Sequence, residues 1–368
     1  MAKLYSAVTA LTGTIIGAGF LGIPYVAMKA GYPAAILIMI IIASIMITTK
    51  LYLGEIAMRT KTNHQLSGYA EKYLGIKGKY LMFIATAFGI YAAILAYLIA
   101  LGQSFSFLFF GNTTYQFSIG ILVWIIISGI AYYGIKAMEE GEKIGFVLLL
   151  ILVVSIVIYG WNKINISNLT YIQSNNFFIP FGVILFAFLG FSAIPEVERI
   201  LGKDRHLMKR TIWIANIITF TVYAIFTAIV LGMKGTSTPA LATLALGKPF
   251  VLLGIITMLT SYLALSVALI DNLRFDFKKS KNFSWFWVII VPIILFIILE
   301  LFNVANFTSI LGIGGTISGG LTAILILFMV KYAKEKGNQT PAYSMPYSKY
   351  LVWILIILFV AATILELI

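Results

Sequence analysis

The chain has 368 residues, of which 61% are hydrophobic and only 11% are charged, and its formal net charge is +13. Soluble domains are closer to half apolar and a quarter charged, so this composition excludes an ordinary soluble protein and predicts an all-α protein that crosses the membrane many times. The absence of cysteine excludes disulfides, thiolate metal sites and cysteine nucleophiles. The two histidines lie in charged segments, so no metal site is predicted from them.

Long apolar runs, taken in chain order, predict eleven transmembrane helices. They lie at roughly residues 5–28, 33–57, 80–110, 117–134, 144–161, 177–200, 211–233, 250–272, 284–302, 307–330 and 349–367. The first run continues past residue 24, so it is interpreted as an uncleaved span and not as a signal peptide. The connections are short, and "STPALATLALG" between the seventh and eighth spans predicts a short helix over the outer face.

Basic residues are concentrated on one side of these spans. If the N-terminus is cytoplasmic, 21 of the 26 lysines and arginines fall in inner segments, among them Lys136. Lysine and arginine accumulate in cytoplasmic loops, so we predict a multi-pass protein of the cell membrane with a cytoplasmic N-terminus and an extracellular C-terminus. The same bias explains the net charge without a nucleic-acid partner.

The first span contains an unusual stretch for a membrane helix, "TGTIIGAGFLGIP". Gly17, Gly19 and Gly22 spell G-x-G-x-x-G, but that dinucleotide motif needs a preceding strand in a soluble unit, which a membrane span excludes. Two explanations stay open. Gly13 and Gly17 form a G-x-x-x-G face for close helix packing, or the glycines mark a break in the helix that leaves backbone groups free to hold a ligand.

A second span that also combines glycines with prolines favours a helix break over a packing face. The sixth span, "FFIPFGVILFAFLGFSAIPEVERIL", contains two glycines and two prolines: Pro180, Gly182, Gly190 and Pro195. Interrupted spans at matching places in two halves are typical of transporters built from inverted repeats. We therefore predict a 5+5 inverted repeat with broken helices 1 and 6 plus one additional helix, in the segments 1–165, 177–332 and 349–368.

Four segments in this order resemble one family of transporters. "GTIIGAGFLGIPYVAMKAGY", "YLIALGQSF", "FAFLGFSAIPEV" and "LTSYLALSVALIDNL" are similar to the first, third, sixth and eighth spans of the amino acid/auxin permease group and the hydroxy and aromatic amino acid permeases. That group belongs to the amino acid-polyamine-organocation superfamily, which has the leucine-transporter fold. The resemblance implies transport of amino acids, usually with a proton or a sodium ion.

The resemblance also implies site residues. The amides of Gly17, Ala18 and Gly19 would hold the substrate carboxylate, which agrees with the affinity of a helix N-terminus for anions. The other residues implied around the substrate are Thr14, Tyr97, Phe188, Gly190, Phe191 and Ser192. A sodium ion would be held by Gly13, Ile16, Thr260 and Ser261. The alternatives are that Tyr97 is a packed tyrosine and that Thr260 and Ser261 bond to their own helix.

Ionisable residues inside the spans are candidates for gating or coupling, because charge at membrane depth is costly and usually functional. Lys50 could snorkel to the inner surface, neutralise a site, or exchange a proton. Glu55 is predicted at the interface. Glu196 is a candidate coupling carboxylate, and Asp271 with Arg199 could complete an inner gate.

These observations predict a cation-coupled symporter, driven by sodium or protons, that imports a neutral amino acid by alternating access and prefers apolar or aromatic side chains to charged ones. No enzyme is predicted, because the spans contain no convergent nucleophile, acid–base pair or metal set. A metal-ion transporter would need a carboxylate in the first broken span. The remaining alternatives are an uncoupled exchanger or uniporter and, less favoured, an amino acid sensor. The oligomeric state is left open.

Overall fold

The structure is a computed structural model, and it describes residues 2–62, 64–133, 138–302 and 306–367. Lys136, which was counted in the charge bias, lies outside these residues. The described residues form helices and connecting loops without a strand. An all-helical protein is therefore confirmed.

Fifteen α-helices occur in the described part of the chain. In order they are α1 Ala2–Ile15, α2 Ile23–Ala30, α3 Tyr32–Met58, α4 Leu66–Phe110, α5 Gln116–Tyr133, α6 Met138–Gly160, α7 Ser167–Thr170, α8 Pro180–Ala187, α9 Ile194–Leu201, α10 Met208–Lys234, α11 Lys248–Asp271, α12 Lys281–Phe302, α13 Phe307–Gly314, α14 Gly320–Lys336 and α15 Lys349–Leu367. Short 3₁₀ turns at Ala18–Gly22 and Phe191–Ala193 lead into α2 and α9.

Within the described residues, seven helical segments are long and apolar enough to cross a membrane, and an eighth arises if α1 and the bent segment Ala18–Ala30 count as one span. Three shorter apolar helices, Gln116–Tyr132, Leu150–Lys163 and Lys349–Ile364, lie where the fourth, fifth and eleventh spans were predicted. A polytopic membrane protein is confirmed, while the count of eleven and the inverted repeat remain predictions.

The interrupted helices lie at the centre of the helix packing. Helix α1 packs on α9 and α10, and α3 packs on α8, α9, α10 and α14. The long helix α4 changes direction at Gly75, whose φ is 75°, and its remainder packs on α11, α13 and α14. The predicted helix over the outer face is reduced to the 3₁₀ turn Ala242–Ala245.

Candidate functional site

The first helix is interrupted where the glycines predicted a break. Helix α1 ends at Ile15, and the chain then extends at Gly17, with φ −82° and ψ −170°. A 3₁₀ turn follows and continues into α2, which has a proline in its first turn, a position that costs no hydrogen bond. The two helical parts are bent by 45°. The interruption, and not only a packing face, therefore explains the glycines.

The second interruption is at the predicted place in the sixth span. Helix α8 ends at Ala187, and a non-helical stretch from Phe188 leads to Gly190, whose φ of +110° favours glycine. After the 3₁₀ turn, α9 begins with Pro195 in its first turn. The α-helical hydrogen-bond pattern is thus interrupted after Phe188, and the bonds of Leu189, Ala193 and Ile194 span only three residues.

The two interruptions contact each other. A Cβ on Gly190 would lie 2.6 Å from Cγ1 of Ile15, the last residue of α1. A Cβ on Gly19 would lie 2.9 Å from Cδ1 of Phe186 in α8. Glycine at both positions therefore permits the close approach, and the predicted facing of the two broken helices is observed.

One tyrosine links both interruptions, and the sequence reasoning missed it. The Tyr223 hydroxyl lies 2.8 Å from the carbonyl oxygen of Ala187 and 3.1 Å from that of Ile15, so its one proton is shared between the last residues of α8 and α1. Its ring stacks on Phe20 at a centroid distance of 5.7 Å. The available signal was a stripe of buried polar residues along α10: Thr211, Asn216, Thr219, Tyr223 and Thr227.

Lys50 reaches the second interruption from α3. Its side chain is fully buried, and Nζ donates to Oδ1 of Asn216 at 2.8 Å and to the carbonyl oxygen of Phe188 at 3.0 Å. The Asn216 amide nitrogen donates to the Ile212 carbonyl at 2.7 Å, which aims the amide oxygen at the lysine. The snorkelling alternative is therefore wrong, because the ammonium points into the bundle.

The predicted substrate residues fall into a buried and an exposed set. Tyr97, Phe188 and Phe191 are buried, and the Tyr97 hydroxyl lies at the first interruption, where a Cβ on Gly17 would come within 3.2 Å of it. The Gly17 amide already donates to Ile15 at 2.9 Å, whereas the amides of Ala18 and Gly19 begin a helical turn and have no acceptor within it. The exposed set consists of Thr14, near the end of α1, and Ser192, in the 3₁₀ turn before α9. Glu196, the candidate coupling carboxylate, is exposed beside them at the start of α9.

The chain matches a known family over residues 1–366. It belongs to the tryptophan/tyrosine permease family. It is also 20% identical over 357 residues to glutamine transporter 2 of Aliivibrio fischeri (strain ATCC 700601 / ES114), a match that covers 92% of this chain and 91% of that protein. Both findings support amino acid transport across a membrane.

The predicted ion ligands of the permease lie on α11 and on the first span, and their role remains a prediction. The 3₁₀ turn after the first interruption packs on α11, which carries Thr260 and Ser261. The Thr260 hydroxyl donates to the carbonyls of Thr257 at 2.9 Å and Ile256 at 3.2 Å in its own helix. Its lone pairs stay free to accept, so the hydroxyl could still bind a cation. Of the two predicted carbonyl ligands in the first span, Ile16 is buried and Gly13 is half-buried.

The acidic residues of the permease form ion pairs other than the predicted gate. Asp271 lies 3.4 Å from Arg274 in the next turn. Glu198 lies 2.7 Å from Arg205, and no pair joins Asp271, Glu196 and Arg199 within the described residues. The gate assembled from the sequence is therefore not formed in this structure.

Glu55, which was expected at the interface, is fully buried in the protein at the end of α3. Its carboxylate accepts from Arg59 at 2.9 Å, Lys334 at 2.6 Å, the Ser344 hydroxyl at 3.0 Å and the Met345 amide at 2.7 Å. These residues are called the Glu55 cluster below. The loop between α14 and α15 supplies two of the four donors, which a reading of the single span could not anticipate.

Proposed function

We propose that this permease is a secondary active transporter that imports a neutral amino acid by alternating access, coupled to a cation. Eleven spans, the 5+5 inverted repeat and the leucine-transporter fold are part of the proposal. The observation that carries it is the meeting of two interrupted helices whose ends are joined by Tyr223. Unwound backbone at membrane depth is tolerated where it is buried in protein or lines a cavity, and transporters bind substrates there.

Amides at a helix N-terminus and carbonyls at helix C-termini suit the two charges of an amino acid. The amides of Ala18 and Gly19 open the helical segment that continues into α2, so they favour a carboxylate. The carbonyls of Ile15 and Ala187 end two helices and favour an ammonium group. A zwitterion placed between them would have each charge next to the dipole end of opposite sign.

The walls of this region favour an aromatic or apolar side chain. Phe188, Phe191 and Tyr97 surround the interruptions, and Phe188 packs edge-on against Tyr223 at 5.2 Å. These three side chains carry no charge that would select a charged substrate, and the Lys50 ammonium beside them bonds to Phe188 and Asn216. Tryptophan and tyrosine are therefore the first substrates to test, with glutamine next because a relative carries that name.

The exposed polar residues next to the interruptions suggest the route by which the substrate leaves. Thr14, Ser192 and Glu196 are exposed near the middle of their spans, where lipid would penalise them. A water-filled vestibule resolves this, and the charge bias of the sequence favours the cytoplasmic side for it. The structure then corresponds to a state that is open inward at these residues and closed over Tyr97 and Phe188.

The test is uptake of labelled tryptophan, tyrosine, glutamine and arginine into proteoliposomes that hold the purified permease. Uptake of the neutral amino acids but not of arginine is expected. Gly19→Leu should abolish uptake, since its side chain would meet Phe186 and cover the Ala18 and Gly19 amides. Gly129→Leu is the matched control, because a Cβ at Gly129 meets nothing within 4 Å.

Normal uptake by a folded Gly19→Leu protein would contradict the placement of the carboxylate. Uptake that responds to neither a sodium nor a pH gradient would replace symport by exchange or uniport.

A further inference from the structure

Lys50 is a buried cation without a counter-charge. Its two acceptors, the Asn216 amide oxygen and the Phe188 carbonyl, are neutral, and no carboxylate forms an ion pair with it among the described residues. Removing an ammonium from water costs several kcal/mol, and only good geometry and an opposite charge normally offset it. If Lys50 had only a structural role, an apolar residue at this position would cost less free energy.

The other ionisable groups on the elements around α3 have partners of their own or face outward. On α3 itself, Glu55 is held by Arg59 and Lys334, and the Tyr52 hydroxyl donates to Pro346. On α9, Glu198 pairs with Arg205, and Glu196 and Arg199 are exposed.

On α10, Tyr223 is bonded to backbone carbonyls, and on α2, Lys29 lies over the Tyr25 ring. On α14, Lys331, Glu335 and Lys336 are exposed, and α7 and α8 contain no ionisable side chain.

We propose that Lys50 carries the proton that drives amino acid uptake, one proton per substrate. This rests on the proposed symport and chooses the proton over sodium as the coupling ion. On the outer side, the amine lone pair of Lys50 takes a proton from water and a new N–H bond forms. On the inner side, that N–H bond breaks, the electron pair stays on nitrogen, and the proton passes to water.

The hydrogen bonds of Lys50 explain why its charge can change without disrupting the bundle. An ammonium has three donors and a neutral amine has two, so both bonds, to Asn216 and to Phe188, can persist in either state. Only the charge differs between the states. The Phe188 carbonyl follows the C-terminal end of α8, where the helix dipole is negative and favours the charged form.

Substrate and proton are linked through one residue. The side chain of Phe188 lies at the proposed substrate site, and its carbonyl holds Lys50. A rearrangement of the α8–α9 interruption that releases the amino acid would also displace this carbonyl. The ammonium then loses an acceptor that favours its charge, and deprotonation follows.

The test compares two assays in proteoliposomes with labelled tryptophan, tyrosine or glutamine, with the membrane potential clamped at zero. The first is accumulation driven by a pH gradient of one unit, and the second is exchange with unlabelled amino acid at equal pH. One proton per substrate supports about tenfold accumulation at equilibrium per pH unit. Lys50→Met should lose this accumulation, down to equal concentrations inside and outside, while exchange persists.

Lys334→Met is the matched control, because that lysine pairs with Glu55. This variant should accumulate substrate as the wild type does. Asn216→Asp is the second variant and guards against misfolding of Lys50→Met. Its carboxylate would hold the ammonium charged, so accumulation should be lost while exchange persists.

Pure exchange by wild-type protein would end the coupling proposal and leave amino acid transport intact, whereas absence of both activities would end the proposed function. Accumulation retained by Lys50→Met, or driven equally by a sodium gradient at constant pH, would overturn the role of Lys50. Loss of exchange together with accumulation in folded Lys50→Met and Asn216→Asp proteins would also overturn it, in favour of a purely structural role.

Discussion

Two buried ionisable side chains lie five positions apart on α3, and their surroundings differ completely. Glu55 accepts four hydrogen bonds, two of them from cations. Lys50 donates to two neutral oxygens and has no counter-charge in the described structure. Burial alone therefore does not separate a structural charge from a functional one. The partners do, because a paired charge is held in one state and an unpaired one is free to change.

The Glu55 cluster fixes the loop between α14 and α15 to the end of α3. The Tyr343 hydroxyl donates to the Leu51 carbonyl at 2.7 Å, and Tyr52 donates back to the Pro346 carbonyl at 2.8 Å. Burial, reinforced by the nearby Glu55 carboxylate, raises the pKa of the Tyr343 hydroxyl, so it stays protonated and keeps donating. This region is predicted to add stability without taking part in transport.

The largest expected effect is on stability. Glu55→Gln leaves Arg59 and Lys334 without their shared carboxylate and should lower the free energy of unfolding by about 3 kcal/mol. Lys50→Met should lower the free energy of unfolding by less. The variant leaves two acceptors without a donor, but it also removes a buried charge that has no counter-charge. Thermal or denaturant unfolding in detergent measures both. A larger loss for Lys50→Met would reverse the comparison.

The next effect concerns the second interruption. Gly190→Ala combines an unfavourable φ of +110° with a contact at 2.6 Å between the new Cβ and Ile15. The variant should lower the free energy of unfolding by about 2 kcal/mol and should lose most of the transport activity. Gly247→Ala is the matched control, with φ +101° and open space around its Cβ, so it carries the strain without the contact. Equal uptake by the two variants would show that the approach of Gly190 to Ile15 has no role in transport.

The breaks were predictable from sequence because glycine and proline act locally. Gly190 takes a conformation that other residues rarely adopt, and proline marks the first turn of α2 and α9. The family resemblance supplied the surrounding residues, and their roles remain predictions. The partners of Lys50 were not predictable, since they depend on how α3, α8 and α10 pack. Tyr223 was missed because its signal, a stripe of polar residues along α10, was not followed. The donors to Glu55 from α14 and the loop after it could not be anticipated, because they lie almost 280 or more positions away in the sequence.

A smaller effect separates two tyrosines that bond to backbone carbonyls. Tyr223→Phe and Tyr343→Phe each remove one hydroxyl and should each cost about 1 kcal/mol of stability. Only Tyr223→Phe should reduce uptake, because that hydroxyl joins the ends of α1 and α8. Tyr262→Phe should leave uptake unchanged and should not lower stability, since the buried Tyr262 hydroxyl has no partner in the described structure. Reduced uptake in Tyr343→Phe would mean that the Glu55 cluster moves during transport.

The smallest effect is expected at the candidate sodium ligands. Thr260→Ala together with Ser261→Ala should change stability by less than about 0.5 kcal/mol, because a hydroxyl bonded to its own helix contributes little. With proton coupling, the double variant keeps the wild-type dependence on pH and shows none on sodium. A raised sodium requirement for uptake would place the coupling ion at α11 instead of at Lys50.

The central claim, that the amino acid binds between the two interruptions, is open to one direct measurement. The chain has no cysteine, so Ser192→Cys introduces a single exposed thiol beside the second interruption, and Ser237→Cys places a control thiol in the loop after α10. Tryptophan, tyrosine or glutamine at saturating concentration should slow maleimide labelling of Ser192→Cys several-fold and leave Ser237→Cys unaffected. Unchanged labelling at Ser192→Cys, in protein that still binds the amino acid, would place the substrate elsewhere.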